Sequence, residues 1–319
     1  MTIISHCTLE TLTDAARALR EGHLVVFPTE TVYGLGGDAQ NELAVRRIYE
    51  VKGRPLDHPV IVHIGDIAIL DYWISEIPHY ALALARDFWP GSMTLVLSRS
   101  DAAKDFITGG QESVGIRIPA HPLALQLLKE FHSHGGKGVA APSANKFGEV
   151  SPTTAQAAED GLGSRLALSD MILDGGPSLV GIESTVIDCR GESPRILRPG
   201  AITKEIIRQS TGLDVDESRD SIRVSGALDN HYAPRARVLV GEIELAGAGF
   251  IALESIKTPK GMIRLATPGG VEAYARVLYQ SLRAADLQDL ESVVLVLPEG
   301  EGLAAAIRDR IEKARTKEI

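Results

Sequence analysis

Two short segments near the start of the chain carry residue types suited to binding a small polar molecule together with an anion. An apolar run breaks at a proline and meets threonines, a tyrosine and glycines in the passage 24–38, LVVFPTETVYGLGGD. Glycine lets a backbone approach a ligand closely, and threonine hydroxyls can orient a small polar group. Farther along, Lys52 and Arg54 lie in KGRP, where a point charge and a planar fork of donors suit a polyphosphate. Taken singly, the glycines also fit a tight strand-to-helix turn, and KGRP also fits a solvated basic turn.

Two apolar strand patterns each contain one residue able to bind a ligand. His63 interrupts the β-branched run 60–64, and Arg117 interrupts the run 114–118. A histidine in such a run either makes its hydrogen bonds within the core or points toward a ligand. A buried guanidinium is costly unless it is paired, so Arg117 should meet either a ligand carboxylate or an internal acid. The sequence leaves both alternatives open at each position.

Further hydrogen-bond donors follow or precede other strand patterns. The segments are APSAN from Ala141, GIESTVID from Gly181 and ILRPG from Ile196. Each alone also fits a turn or a cap, but α/β proteins place ligand sites at the ends of their strands. The chain has neither an HExxH motif nor a GxSxG elbow, and its Cys and His spacing does not fit a metal site. The pattern therefore indicates catalysis by positioning and charge stabilisation at phosphorus.

Alternating strand and helix patterns predict an α/β fold: a twisted, mixed, open sheet with flanking helices. The predicted strands are 24–27, 60–64, 93–97, 114–118, 138–141, 171–174 and 184–188. The predicted helices are 12–21, 42–49, 78–88, 123–132 and 154–160.

A change of composition near residue 200 divides the chain. We predict a catalytic domain over 1–207, a polar linker over 208–237 and a small α/β domain over 238–319. The small domain should contain strands 238–240, 250–253, 262–265 and 293–297 and helices 271–284 and 303–313. The linker carries HYAP from His231, which fits either an anchored spacer or a lid that closes over the first domain.

Charge and composition limit the class of partner. A net charge of −9 argues against a protein that coats nucleic acid through bulk electrostatics. We expect a cytoplasmic protein with no membrane association, because no apolar run reaches spanning length. Cys7 and Cys189 are far apart and are expected to be buried free thiols.

With these segments in hand, the chain resembles the YrdC-like family, and in particular its two-domain L-threonylcarbamoyladenylate synthases. Seven motifs run in family order across about the first 235 residues: PTETVYGLG from Pro28, KGRP from Lys52, SVGIRIP from Ser113, APSAN from Ala141, GIESTVID from Gly181, ILRPG from Ile196 and HYAP from His231. The resemblance implies a nucleotidyltransferase that converts L-threonine, bicarbonate or CO2, and ATP into threonylcarbamoyl-AMP and pyrophosphate. That product serves the threonylcarbamoyladenosine modification of tRNA.

The resemblance also assigns the site. It implies that threonine is bound by Thr31, His63, Arg117, Ala141 and Ser184, with Arg117 taking the substrate carboxylate. It implies that ATP is bound by Lys52, Arg54, His58, Ser113, Ser143, Asn145, Ser151, Arg198 and Tyr232. Mg²⁺ is expected to bind with ATP, without protein ligands, and Tyr232 to close over the nucleotide. Contact with tRNA, or with the transferase that uses the product, is left open.

Three other functions compete with this interpretation. A noncatalytic RNA- or ribosome-binding module conflicts with the acidic net charge and the absence of aromatic stacking platforms. A carbamoyl-transfer domain of the hydrogenase-maturation type would carry paired CxxC zinc motifs, whereas this chain has two lone cysteines. A sugar-phosphate lyase on a similar fold would need an acidic metal cluster, which these motifs do not assemble.

The histidine at position 58 predicts pH-dependent binding of ATP. Family members commonly carry asparagine where this chain has His58, just before Pro59. An imidazole titrates near neutrality, so we expect ATP affinity to rise modestly as the pH falls below ~7. The measurement is the Kd of ATP across a pH series for the wild type and His58→Asn. The same pH slope in both proteins would contradict the prediction.

Overall fold

The structure is a computed structural model that describes residues 3–4, 6–216, 222–224, 226, 232–241 and 243–315. Its strands, in chain order β1 to β14, are Ile3–Ile4, Val25–Phe27, Gly34–Asp38, Val62–His63, Met93–Ser98, Ser113–Arg117, Val139–Ala140, Met171–Leu173, Thr185–Asp188, Arg195–Arg198, Arg237–Val240, Gly249–Ile251, Ile263–Ala266 and Ser292–Leu295. Its α-helices, α1 to α10, are Leu9–Arg20, Glu42–Lys52, Leu70–Trp73, His79–Phe88, Asp105–Thr108, Pro122–Ser133, Ala155–Leu162, Lys204–Thr211, Val271–Leu287 and Leu303–Ala314.

Strands β1 to β10 form one mixed sheet within the described part of the chain, in the order β1-β8-β2-β3-β7-β4-β6-β5-β9-β10. Parallel pairs such as β4 with β6 alternate with antiparallel pairs such as β2 with β3. Helices cover both faces. On one face, α1 and α6 contribute Leu12, Leu19 and Phe131 to a core under β2 and β7, and α2, α4 and α7 cover the other. The predicted mixed α/β fold is confirmed.

The glycine-rich stretch 34–37 is a strand rather than a loop. It belongs to β3, which lies antiparallel to β2 and is buried throughout. A Cβ atom on Gly36 would lie 2.8 Å from the Phe27 ring and 2.8 Å from Cγ1 of Val139. Glycine is therefore present because neighbouring side chains fill the space above the strand. Sequence periodicity missed β3 because it lacks the branched residues typical of strands.

Helix α2 places the KGRP motif. Its first turn is capped by Asn41, whose side chain accepts hydrogen bonds from the backbone N–H groups of Leu43 and Ala44. It ends at Gly53, where φ is 64°, a left-handed conformation that favours glycine. The helix end therefore fixes Lys52 on the last turn and turns the chain so that Arg54 follows directly.

A second, all-parallel sheet follows in the order β11-β14-β12-β13. Helices α9 and α10 pack against it, and we call β11 to α10 the second domain. The boundaries at residues 207 and 238 stay predictions. Part of the predicted linker is regular structure, because α8 extends to Thr211 and ends at Gly212. His231 of HYAP lies outside the described residues.

The cysteines and the helix lengths bear on two expectations drawn from composition. Cys7 and Cys189 are free thiols, but Cys7 is half-buried, whereas both were expected to be buried. None of the described helices has the length and apolarity needed to cross a bilayer.

Short elements such as β10, α3 and α5 were not predicted, since four residues give too little periodicity to detect.

The packing around Gly36 predicts a steric effect on stability. Gly36→Ala should lower the free energy of unfolding by about 1–3 kcal/mol, because the new methyl group meets side chains on two adjacent strands. Gly161→Ala is the matched control: it lies in α7 with open space around its Cβ position, and should add about 0.5–1 kcal/mol. Urea unfolding measures both. Equal effects of the two substitutions would contradict the steric explanation.

Candidate active site

One pocket gathers side chains from several strand ends of the large sheet. All five residues predicted to bind threonine line it, together with three of those predicted to bind ATP: Thr31, His63, Arg117, Ala141, Ser184, Ser143, Arg198 and Tyr232. The rest of its wall is formed by Thr29, Val32, Gly34, Ile61, Pro142 and Glu183. Strand ends and connections therefore converge on one pocket, as the sequence argument predicted. They are the connection between β2 and β3, the ends of β4, β6 and β7, and the segment before β9.

His63 and Arg117 are neighbours because β4 and β6 are parallel and pair them in register. His63 is buried, and Nδ1 has no hydrogen-bond partner among the described residues. Burial, followed by the nearby positive charge of Arg117, lowers the pKa of His63 to about 3. The imidazole is therefore neutral at physiological pH. Because His63 lines the pocket and its buried Nδ1 lacks a hydrogen bond, the structure favours the ligand-binding alternative over a histidine whose hydrogen bonds are all made within the core.

Arg117 forms an internal ion pair that the sequence left undecided. Its Nη2 donates to Oε1 of Glu30, and its Nε donates to the carbonyl of Gly91 at 3.2 Å. Oε2 of Glu30 accepts from the backbone N–H of Ala120 at 2.9 Å. Burial raises the pKa of Glu30, but the charge and hydrogen bond of Arg117 outweigh burial and hold the pKa below its ordinary value. The guanidinium is thus fixed in orientation while it lines the pocket.

Hydroxyl groups line the same pocket and are held by one another. Oγ1 of Thr31 lies 2.9 Å from Oγ1 of Thr29. Oγ of Ser184 lies 2.8 Å from Oγ1 of Thr94 and accepts from Nη2 of Arg198 at 3.1 Å. Such fixed hydroxyls can recognise a small molecule that carries its own hydroxyl and charged groups.

Three of the residues predicted to bind ATP, Lys52, Arg54 and Arg198, are buried cations, and Arg198 lines the pocket itself. Lys52 Nζ donates to the carbonyls of Ser143, at 2.6 Å, and Asn145. Arg54 Nη2 donates to the carbonyl of Pro59 at 2.8 Å. Burial lowers the pKa of all three cations. The positive charge of Arg54 lowers the pKa of Lys52 further, and the positive charge of Arg198 lowers that of Arg54.

The side chains of Lys52 and Arg54 thus donate to neutral carbonyl oxygens. Their charges are not cancelled by a carboxylate bonded to either side chain in the described residues. Neighbouring cations in a poorly solvated place repel one another unless an anion lies between them. The arrangement is therefore an anion site, although Lys52 also braces the loop after β7.

Six predicted ATP residues lie outside the lining of this pocket: Lys52 and Arg54, described above, and Ser113, His58, Asn145 and Ser151. Ser113 begins β6 and lines a neighbouring depression together with Ile61, which borders both. His58 is partly exposed and contacts the ring of Phe147 edge-on, with ring centres 5.4 Å apart. Burial and then the charge of Arg54 lower the pKa of His58. In the protein without ATP, His58 therefore gains its charge at a more acidic pH than an ordinary imidazole, so a rise in ATP affinity should continue below pH 6.5 before it levels off.

Asn145 and Ser151 are the other two. Nδ2 of Asn145 donates to the carbonyls of Lys146 and Glu149 at 2.7 and 2.8 Å. Its Oδ1 is buried and has no partner among the described residues. Ser151 Oγ donates to Oε1 of Glu183 at 2.6 Å.

Two acids that sequence reasoning gave no role organise the site. Glu30 lies in PTETVYGLG and forms an ion pair with Arg117. Glu183 lies in GIESTVID and accepts a hydrogen bond from Ser151. Burial raises the pKa of Glu183, but Arg310 and Arg198 reverse this and lower it to about 2. The sequence did contain a signal for these two acids: each is an acidic residue inside an otherwise apolar or hydroxyl-rich motif, which indicates a buried and therefore paired carboxylate.

Tyr232 of the predicted linker reaches the pocket. It is buried, has a left-handed φ of 64°, and stacks on Tyr279 with ring centres 5.5 Å apart. The described part of HYAP is therefore anchored against the second domain while its tyrosine lines the candidate site.

A larger surface groove of about 850 Å³ lies elsewhere, beside α2 and α5. Several of its charged side chains pair with one another: Arg99 with Asp105 and Glu112, and Arg46 with Glu42. Because these arginines are already compensated by carboxylates, the groove is a weaker candidate for an anion site than the smaller pocket.

Comparison with known proteins agrees with this geometry. Residues 17–200 match the family profile described as Telomere recombination (Sua5_yciO_yrdC), and residues 202–315 match the profile of the threonylcarbamoyl-AMP synthase C-terminal domain. The chain is 38% identical to the threonylcarbamoyl-AMP synthase of Bacillus subtilis, covering 95% of this chain and 92% of the relative. It is 39% identical to that of Pyrococcus abyssi, covering 94% and 92%.

Solved structures extend the likeness to three dimensions. The crystal structure of P. abyssi Sua5 complexed with L-threonine superposes with a TM-score of 0.88 at 36% identity, over 98% of this chain and 97% of that one. HypF of T. kodakarensis, at 16% identity and a TM-score of 0.52, shares the fold alone. The resemblance read from the seven motifs is confirmed: the chain belongs to the Sua5/YciO/YrdC family and carries the C-terminal domain of the threonylcarbamoyl-AMP synthases.

Proposed function

We propose that this chain makes threonylcarbamoyl-AMP and pyrophosphate from L-threonine, bicarbonate or CO2, and ATP, for the threonylcarbamoyladenosine modification of tRNA. The observation that carries the proposal is one pocket in which fixed hydroxyls, a neutral imidazole and the guanidinium groups of Arg117 and Arg198 meet. The buried cation Lys52 adjoins it through a hydrogen bond to the carbonyl of Ser143, which lines the pocket. Full-length relatives named threonylcarbamoyl-AMP synthase support it, as does the related structure with L-threonine. The reaction class is nucleotidyl transfer.

The threonine side is formed by His63, Arg117, Thr31, Ser184 and Ala141. Arg117, oriented by Glu30, takes the substrate carboxylate as a charge-assisted pair. The hydroxyls of Thr31 and Ser184 meet the polar groups of threonine. Neutral His63 offers a ring nitrogen without adding a charge, and Ala141 supplies an apolar wall beside the substrate methyl group. Discrimination against serine rests on that methyl group, worth about 1–3 kcal/mol.

The nucleotide side is formed by Lys52, Arg54 and Arg198. The threonine amine adds to CO2 and loses a proton, giving a carbamate. A carbamate oxygen then attacks the α-phosphorus of ATP, and the bond to the bridging oxygen of pyrophosphate breaks. The three cations stabilise the phosphate charge that accumulates on the leaving pyrophosphate, and Ser143, Ser113, Ser151 and His58 are assigned to positioning the nucleotide.

The residues present fit a divalent cation that arrives with ATP. The buried, unpartnered Oδ1 of Asn145 is an oxygen donor of the kind Mg²⁺ prefers. The described residues contain no group of three or more His, Cys, Asp or Glu side chains able to hold a metal by themselves. We therefore propose Asn145 as a protein ligand that would hold Mg²⁺ together with ATP, whereas the resemblance implied no protein ligand. When bound, the ion would neutralise charge on the transferring phosphates.

Tyr232 closes the site from the linker side in this proposal. Its ring is buried against Tyr279 and lines the pocket. Exclusion of water there protects the carbamate and the mixed anhydride, both of which hydrolyse readily. The domain division 1–207, 208–237 and 238–319 places this closing residue between the two folded units.

The first test is pyrophosphate release from purified protein with ATP and Mg²⁺. We expect release that requires both L-threonine and bicarbonate, because the carbamate is the nucleophile. Omission of either should reduce release to background. Release that ignores threonine, or no release from folded protein, would contradict the proposed function.

A substitution at Arg54 separates the two halves of the site. Arg54→Gln should raise the KM for ATP about 10- to 100-fold, since a charge-assisted bond to phosphate contributes about 1.5–3 kcal/mol. The Kd of threonine, measured by calorimetry, should stay unchanged. Arg46→Gln is the control, because Arg46 is exposed and pairs only with Glu42 among the described residues. Equal KM values for the two variants would contradict the assignment of Arg54.

A further inference from the structure

Glu183 connects the candidate active site to the second domain. Its Oε1 accepts from Oγ of Ser151, at 2.6 Å, on the nucleotide side. Its Oε2 accepts from the hydroxyl of Tyr279, at 2.8 Å, and from Nε of Arg310, at 2.9 Å. Tyr279 lies on α9 and Arg310 on α10, so both donors come from the second domain. One carboxylate is therefore shared between the two domains.

Arg310 is an unusual residue to find in a domain core. It is fully buried on the last helix of the chain. Besides Glu183, it donates to the carbonyl of Pro199 at 3.0 Å, and its guanidinium lies 5.3 Å from the ring centre of Tyr232. Pro199 directly follows Arg198, one of the three cations on the nucleotide side. A fully desolvated guanidinium is expensive to bury, and hydrophobic side chains alone would serve packing at lower cost.

Helix α9 approaches the same segment with its backbone. A Cβ atom on Gly181 would lie 2.5 Å from the Cα of Arg276 and 2.6 Å from the carbonyl of Ala275. Gly181 also has a left-handed φ of 83°. Nε of Arg276 donates to the carbonyl of Leu179 at 3.0 Å. The segment that leads to Glu183 is thus held against α9 by close backbone contact as well as by side chains.

We propose that Tyr279 and Arg310 are positioning residues for the nucleotide half of the active site. They fix the carboxylate of Glu183, which in turn orients the hydroxyl of Ser151, and Arg310 also holds the backbone next to Arg198. The second domain then completes the ATP side of a site whose threonine side is built entirely by the large sheet. This inference rests on the proposed function for its kinetic readout.

Tyr279→Phe tests the inference with little change in volume. It removes one hydroxyl from Oε2 of Glu183 and keeps the pair with Arg310, so the protein should fold. We expect the KM for ATP to rise about 3- to 10-fold while the KM for threonine stays unchanged. Tyr274→Phe is the matched control, because this second buried tyrosine of α9 donates to the carbonyl of Val296 within the second domain. It should lower stability without changing either KM.

A double-mutant cycle distinguishes positioning from general destabilisation. In the Ser151→Ala background, Tyr279→Phe should have no further effect on the KM for ATP, because the hydroxyl that Glu183 orients is gone. Arg310→Lys keeps the charge but shortens the donor group, and should raise the KM for ATP about 10-fold, or about 1.4 kcal/mol. An unchanged KM in Tyr279→Phe, equal increases for ATP and threonine, or additive effects with Ser151→Ala would overturn the inference.

Failure of the proposed function is recognised separately. The Kd of ATP is measured by calorimetry for the same variants, independently of turnover. A wild type that binds ATP but releases no threonine-dependent pyrophosphate would overturn the proposed function, and the Kd values of the cycle would still decide the role of Tyr279. A wild type that does not bind ATP would overturn both.

Discussion

The compensation of buried charge is the constraint on which this structure depends. Arg117 and Arg310 are placed in the interior, where an unpaired guanidinium would be prohibitively costly, and each meets one buried carboxylate. Glu30 holds the first and Glu183 the second. Each acid lies beside a functional segment, so the same pairing that makes burial tolerable also fixes the orientation of ligand-binding groups.

Positive charge is compensated by carboxylates on the threonine side of the site but not at Lys52 and Arg54, and this difference determines which ligand each side suits. Lys52 and Arg54 donate hydrogen bonds to backbone carbonyls, and the two cations repel each other. A site that already contains an excess of positive charge binds a polyphosphate without having to rearrange. The threonine side, in contrast, offers one oriented guanidinium, a neutral imidazole and hydroxyls, which match a small amino acid.

The resemblance to a known family came from motifs, and five of the seven lie on or beside strands of the large sheet, whereas KGRP lies at the end of α2 and HYAP in the linker. Most predicted strands and helices were found within a few residues of their observed bounds. The glycine-rich strand β3 was mistaken for a loop. Glycine is needed at Gly36 because Phe27 and Val139 on the adjacent strands occupy the space of a side chain, and no local sequence pattern reveals those neighbours. The pKa of His58 was placed too high for the same reason, since burial and the charge of Arg54 lower it.

The sequence by itself determined the alternation of strands and helices, the donor types at strand ends and the family, because these depend on local spacing and residue chemistry. Only the tertiary structure decided which acid pairs with which base. Glu30 and Arg117 are 87 residues apart, and Glu183 and Arg310 are 127 apart. Such pairs form because the sheet and the second domain bring them together, and each buried charge is stable there only when an opposite charge compensates it.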